Sequence, residues 1–184
     1  MSIVGIDPSL AATGLAIIPT DVRGTAAITL GRKGQAGEGW GQRSDRIVAQ
    51  VRRVCSQVPE HTRLVVIESM PQRMAKPLPS FGDRWAVWFG IYSTLRSRRI
   101  PVAVVMPSTR ALWATGKGNA KKAEVLSAVR EQWSPLSIRD DNQADALVLA
   151  SMGAHHLGWP LPFETKPRHT TGLEAIEWPE GVRA

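Results

Sequence analysis

Two of the apolar runs in this chain stop abruptly on a carboxylate. Ser2 to Ile6 ends at Asp7, and Leu64 to Ile67 ends at Glu68. The second run is continuous and β-branched, the pattern of a central parallel strand buried on both faces. A carboxylate at the end of such a strand leaves the core at the C-terminal edge of the sheet. If the two strands are adjacent and parallel, Asp7 and Glu68 emerge at one edge. Open α/β sheets form their ligand sites at that edge.

The rest of the chain supplies the other layers. Thr13 to Ile18 reads as a strand returning after the Pro8-Ser9 turn, and Thr25 to Leu30 as a third strand punctuated by Gly24 and Gly31. Gly34 to Gly41 is glycine-rich and is expected to be mobile. Helical spacing runs from Arg46 to Val58 through Ile47, Val48, Val51, Val54 and Cys55. Pro71 to Pro79 is a proline-rich basic loop. A helix over Asp83 to Arg98, a strand over Val102 to Met106 and a short helix from Pro107 toward Trp113 follow. Helices over Ala120 to Trp133 and Asp141 to His156 complete the order β-β-β-α-β-α-β-α-α. Antiparallel strands followed by parallel crossovers imply an α/β fold with a mixed five-stranded sheet and helices on both faces. Residues 1–157 are expected to form one domain. Residues 158–184 lack periodicity and read as an irregular tail that wraps the domain or is partly disordered.

Composition narrows the chemistry. One cysteine, Cys55, excludes an intrachain disulfide and a cysteine-built zinc site, and its helical neighbours mark it as a small core residue. No apolar run is long enough to span a membrane, and Asp7 interrupts the first one, so a cytoplasmic protein is expected. The formal net charge of +7 favours a polyanionic partner.

In so basic a chain, carboxylates gathered by folding call for a cation. Asp141 and Asp145 lie four residues apart on one helical face, a like-charge spacing that costs an isolated helix a few tenths of a kcal/mol. Helix capping accounts for one of Asp140, Asp141 and Asn142. It does not account for Asp145, which sits among Ala144, Ala146 and Leu147, where an unpaired carboxylate is costly. Hard oxygen ligands suit magnesium or manganese. Four of them can hold two ions about 4 Å apart, the arrangement of two-metal phosphodiester hydrolysis.

These residues carry a family resemblance. Gly5-Ile6-Asp7-Pro8-Ser9 with Thr13-Gly14, then Val66-Ile67-Glu68, then Gly118-Asn119-Ala120-Lys121-Lys122-Ala123-Glu124-Val125, then Gln143-Ala144-Asp145-Ala146-Leu147 resemble, in order and spacing, the motifs of RuvC-type Holliday junction resolvases. The resemblance covers about residues 1 to 157 and looks more like a bacteriophage-borne member, acting in an infected bacterial cell, than a cellular one. It implies a ribonuclease H-like fold, a homodimer, and paired nicking of four-way DNA junctions with two magnesium ions, manganese substituting. By that resemblance Asp7, Glu68 and Asp145 are metal ligands and Lys122 contacts phosphate at the scissile bond. The fourth ligand falls where this chain has Asn142. Asp141, one step earlier on the same face, is assigned instead. Arg110 is the one residue able to replace a second lysine of the family. The aromatic that wedges between bases after the glutamate is absent, Met70 and Pro71 standing there.

Beyond these, Arg73, Lys76, Lys117, Lys121 and Lys122 are candidate phosphate contacts. Lys117, Lys121 and Lys122 are the strongest, because they open a helix whose N-terminus favours anions. The helix over Asp83 to Arg98 is apolar nearly all round, with Trp85, Trp88, Phe89 and Tyr92, and is expected to pack on the sheet and on a second subunit. His155 and His156 read as cations at a helix end. Competing functions are a nuclease for broader branched DNA such as forks and flaps, and a non-catalytic junction-binding protein. Sugar and acetate kinases share an Asp-x-Gly-type loop but need two domains, and the chain is too short for them.

Overall fold

The structure is a computed structural model and describes residues 1–70 and 81–182. Arg73 and Lys76, and the loop that carries them, lie outside the described residues. The sheet is built from β1 (Ser2–Asp7), β2 (Thr13–Pro19), β3 (Ala26–Leu30), β4 (Thr62–Glu68) and β5 (Val102–Val105), in the order β3-β2-β1-β4-β5. β1 pairs antiparallel with β2 and parallel with β4, and β4 pairs parallel with β5. The expected mixed five-stranded sheet is therefore present. Ile6 stands beside Ile67, so the next residue on each strand, Asp7 and Glu68, reaches the same edge.

Alternation along the strands divides the core in two. Ile3, Leu64 and Val66 face one side. That side is covered by α3 (Pro107–Thr115), α4 (Lys122–Gln132) and α5 (Asp141–His156). Val4, Ile6, Val65 and Ile67 face the other, under α1 (Trp40–Ser56) and α2 (Phe81–Ser97). α5 is buried without a break from Gln143 to Ala154. It lies against strand backbone where β1 and β2 carry glycine. A Cβ on Gly5 would stand 1.9 Å from the Ala146 carbonyl oxygen, and one on Gly14 1.9 Å from that of Asn142.

α1 begins at Trp40, six residues before the apolar periodicity does. Its N-terminal part is held by ion pairs instead. Arg43 bonds Asp83 at 2.6 Å and Arg46 bonds Glu38 at 2.7 Å. The glycine-rich stretch expected to be mobile thus ends in an ordered helix cap at Gly39. α2 resolves its all-round apolarity in part. Val87, Trp88, Ile91 and Leu95 are buried, whereas Phe89 is 53% exposed.

Residues beyond α5 form a short α6 (Pro167–Thr170) and a 3₁₀ turn over Leu173–Ala175. Leu173, Ile176 and Val182 are buried in the same core as α5. Of the two histidines closing α5, His155 departs from the reading as a helix-end cation. Burial pushes the His155 imidazole below its usual range, which disfavours the charged form. His156 stacks on Trp178 with ring centres 3.9 Å apart. Among the described residues no helix is long and apolar enough to cross a membrane.

Candidate active site

The edge where β1 and β4 end collects the acidic residues. Asp7 and Glu68 come from the strand ends, and Asp145 comes from the second turn of α5, 4% exposed. A glycine at position 5 permits this, because it lets the α5 backbone touch β1 one residue from Asp145. Asp140 caps α5. Its Oδ1 accepts from the Gln143 N–H at 2.9 Å, and its carboxylate accepts from the Thr29 hydroxyl of β3 at 2.7 Å. Capping thus belongs to Asp140 and leaves Asp141 to face the neighbouring helix. The turn after Asp7 is pinned from α1. Gln50, 1% exposed, points Nε2 at the Ser9 carbonyl, the Thr13 hydroxyl and the Leu30 carbonyl, at 2.9 to 3.1 Å. Glu68 is fixed from the other side, where the Trp88 indole N–H donates to its backbone carbonyl at 2.8 Å.

The three inner carboxylates repel one another. Burial, then Glu68 and Asp145, push the Asp7 carboxyl up to about 8, and Asp7 has no side-chain hydrogen bond or ion pair among the described residues. Burial also raises Asp145 to about 6, with Glu68 adding to the rise and Arg110 opposing it. Arg110 comes from α3 and is itself only 9% exposed. Its guanidinium joins two of the three, donating from Nε to Glu68 and from Nη1 to Asp145. Asp141 stands further out and pairs with Lys122, whose hydrogen bond holds the Asp141 carboxyl below its ordinary range. A cleft of about 330 Å³ opens beside this group between α3 and α4, lined by Ser108, Arg110, Gly118, Lys122 and Asp145 among others.

As the side chains lie, no three acids, histidines or cysteines among the described residues are gathered tightly enough to grip one ion. The donor chemistry nevertheless fits a hard divalent cation. Asp7, Glu68 and Asp145 offer oxygen ligands only, and Asp7 is a buried carboxylate without a counter-charge of its own.

The residues expected at the site divide into three groups. Asp7, Glu68, Asp145 and Arg110 are in one cluster. Asp141 and Lys122 form its outer rim. Lys117 and Lys121 stand apart at the start of α4, Lys117 lying 3.7 Å from Glu124 and the Lys121 N–H bonding the Glu124 carboxylate at 2.7 Å. Asn142 sends its carbonyl toward Gly14. Sequence reading missed Gln50 and Trp88. A glutamine on the apolar stripe of α1, between Ile47 and Val54, was the available signal for the first. Nothing in the sequence marked the second.

Sheet order and helix placement give a ribonuclease H-like fold. Among solved structures the chain is similar to RuvC of Thermus thermophilus, at 24% identity over 82% of this chain and 91% of that one, TM-score 0.57. A structure of T. thermophilus RuvC in complex with a Holliday junction substrate aligns at 23% identity over 82% of this chain and 90% of that one, TM-score 0.58. The chain therefore has the RuvC fold. No protein-family model and no curated protein sequence matches it.

Proposed function

We propose that the protein is a metal-dependent endonuclease that resolves four-way DNA junctions by paired symmetric nicks. The observation that carries this reading is the convergence of Asp7, Glu68 and Asp145 at one sheet edge beside a cleft lined by Arg110 and Lys122. A likeness to a RuvC structure holding a Holliday junction substrate supports the choice of DNA. Asp7, Glu68, Asp145 and Asp141 would hold two magnesium ions, with manganese able to substitute. These would supply Lewis acidity at the phosphate and lower the pKa of an attacking water.

The chain's own residues do the rest. Lys122 reaches over the rim of the cleft and offers its ammonium to a non-bridging phosphate oxygen, where charge grows during hydrolysis. Lys117 and Lys121 flank it and hold the backbone. Burial of Glu68, Arg110 and Asp145 strengthens the electrostatic interactions among them.

Paired nicks require two sites facing two equivalent strands, which a two-fold dimer supplies. The aromatic face of α2 fits that role. Phe89 is exposed and stacks on Trp85 at 5.4 Å, whereas Trp88 is turned inward and is not available as an anchor. Aromatics of this kind are enriched at interface hot spots. Sedimentation at micromolar concentration should give a dimer that Phe89→Ala weakens. The decisive assay is incubation of a labelled four-way junction, a fork and a linear duplex with and without magnesium. Cleavage confined to the junction and to magnesium supports the reading. Equal cutting of the fork moves it to a broader branched-DNA nuclease, and magnesium-independent binding without cutting moves it to a junction-binding protein.

A further inference from the structure

Arg110 sits where a contact to DNA phosphate was expected, yet its guanidinium does not face solvent. It is buried, and both of its bonded edges are committed to Glu68 and Asp145. A buried guanidinium is tolerated only when paired, and so are two buried carboxylates. Each side of this arrangement therefore keeps the other charged. A planar guanidinium suits the bridging position because it donates from separate edges in fixed directions, which an ammonium does not.

We infer that Arg110 is the internal counter-ion of the metal-free site, and that it gives up Glu68 and Asp145 when divalent ions load and turns to the DNA phosphate in the adjoining cleft. The inference rests on the reading of Asp7, Glu68 and Asp145 as metal ligands. Charge makes the exchange coherent. Glu68 and Asp145 alone outweigh the one guanidinium they share. Two divalent ions reverse that sign, and a guanidinium left among them would be repelled. The place for it to go is already lined by Arg110 itself, since the cleft between α3 and α4 has Arg110, Lys122 and Ser108 in its wall. A phosphate arriving there competes with the carboxylates for Arg110 and so releases ligands for the metal. By linkage, metal and DNA then bind with positive cooperativity, each raising the affinity for the other by the same factor. Free protein would load metal weakly and the DNA complex would load it well. Such an enzyme is armed only on its substrate.

The test is calorimetric titration of manganese into DNA-free protein, comparing wild type with Arg110→Gln and Arg110→Lys, with thermal midpoints measured alongside. Removing the resident cation should tighten manganese binding by tenfold or more in Arg110→Gln, although its metal-free midpoint falls. Arg110→Lys keeps the charge but cannot bridge two carboxylates. It should lose less stability than the glutamine variant, because its ammonium can still face one carboxylate, and bind manganese with intermediate affinity, which preserves the test if the glutamine variant is unstable. Equal manganese affinity in all three proteins would overturn the exchange and leave the metal-site reading standing. Absence of manganese binding from all three, even with a junction bound, would overturn both.

Discussion

Replacing Gly5 by alanine tests whether contact between the α5 backbone and β1 sets the geometry of the acidic edge. The added methyl carbon would stand 1.9 Å from the Ala146 carbonyl oxygen and 2.5 Å from the Ala150 nitrogen. Both neighbours are backbone atoms and cannot rotate away. A carbon–oxygen contact of about 3.3 Å then requires α5 to retreat by roughly 1.4 Å. Overpacking of a tight core costs about 1–3 kcal/mol, and two backbone clashes at once place this substitution near the upper end. A loss of about 3 kcal/mol lowers the melting midpoint by roughly 6–12 °C in a domain of this size. Asp145 precedes Ala146 and moves with it, and a displacement of about 1 Å at a reacting centre costs on the order of 100-fold in rate. Thermal melting and single-turnover cleavage of a labelled junction measure the two effects. Gly82→Ala is the control, because a methyl there meets nothing within 4 Å among the described residues and the helix should tolerate or welcome it. If Gly5→Ala melts and cuts like wild type, α5 is not seated as described and the argument for the edge geometry fails.

Asp7→Asn should abolish magnesium-dependent cleavage while stabilising the metal-free protein at neutral pH. The folded Asp7 carboxyl lies at about 8 against an ordinary 3.8, so its protonated form is favoured by folding. That contribution is complete at low pH and is lost as pH rises toward 8. Melting midpoints in chelator should therefore decline over that interval for wild type and decline less for Asp7→Asn, and parallel curves would refute the assignment. Asp141→Asn and Lys122→Ala break an ion pair whose lysine side chain is 74% exposed, so stability should move by less than about 1 kcal/mol. Cleavage should nevertheless fall at least tenfold, and for Lys122→Ala more than junction affinity does. Should Asn142→Ala prove worse than Asp141→Asn, the outer ligand is misassigned. A chain ended after residue 157 should lose its cooperative melting transition, because it strips Leu173, Ile176 and Val182 from the α5 core.

The strands were legible because burial on two faces writes itself as unbroken apolar sequence. Val65, Val66 and Ile67 could be nothing else, and a carboxylate following such a run has one place to go. The inner acids were legible for the complementary reason. Asp145 among alanines and leucines violates the pattern of its own helix. The start of α1 was not legible, since Arg43 and Arg46 hold it through Asp83 and Glu38, partners whose positions depend on tertiary structure. Arg110 was visible as a cation, but its inward direction was not. Periodicity places a side chain on a face without saying whether a carboxylate waits there. Gln50 was hidden in the same way, because the backbone groups it bonds belong to the turn after β1 and to the end of β3.

The segment after α5 has a consequence for how the protein comes into being. β1 packs on one side of α5, and Leu173, Ile176 and Val182 complete the core on which α5 depends. β1 thus waits on residues made far later. At common rates of synthesis the stretch from Asp145 to Val182 takes about 2 to 7 seconds to emerge. During that interval the acidic edge has its residues but not its rigid support. In a nascent chain the acidic edge is accordingly set only once the segment after α5 has been made.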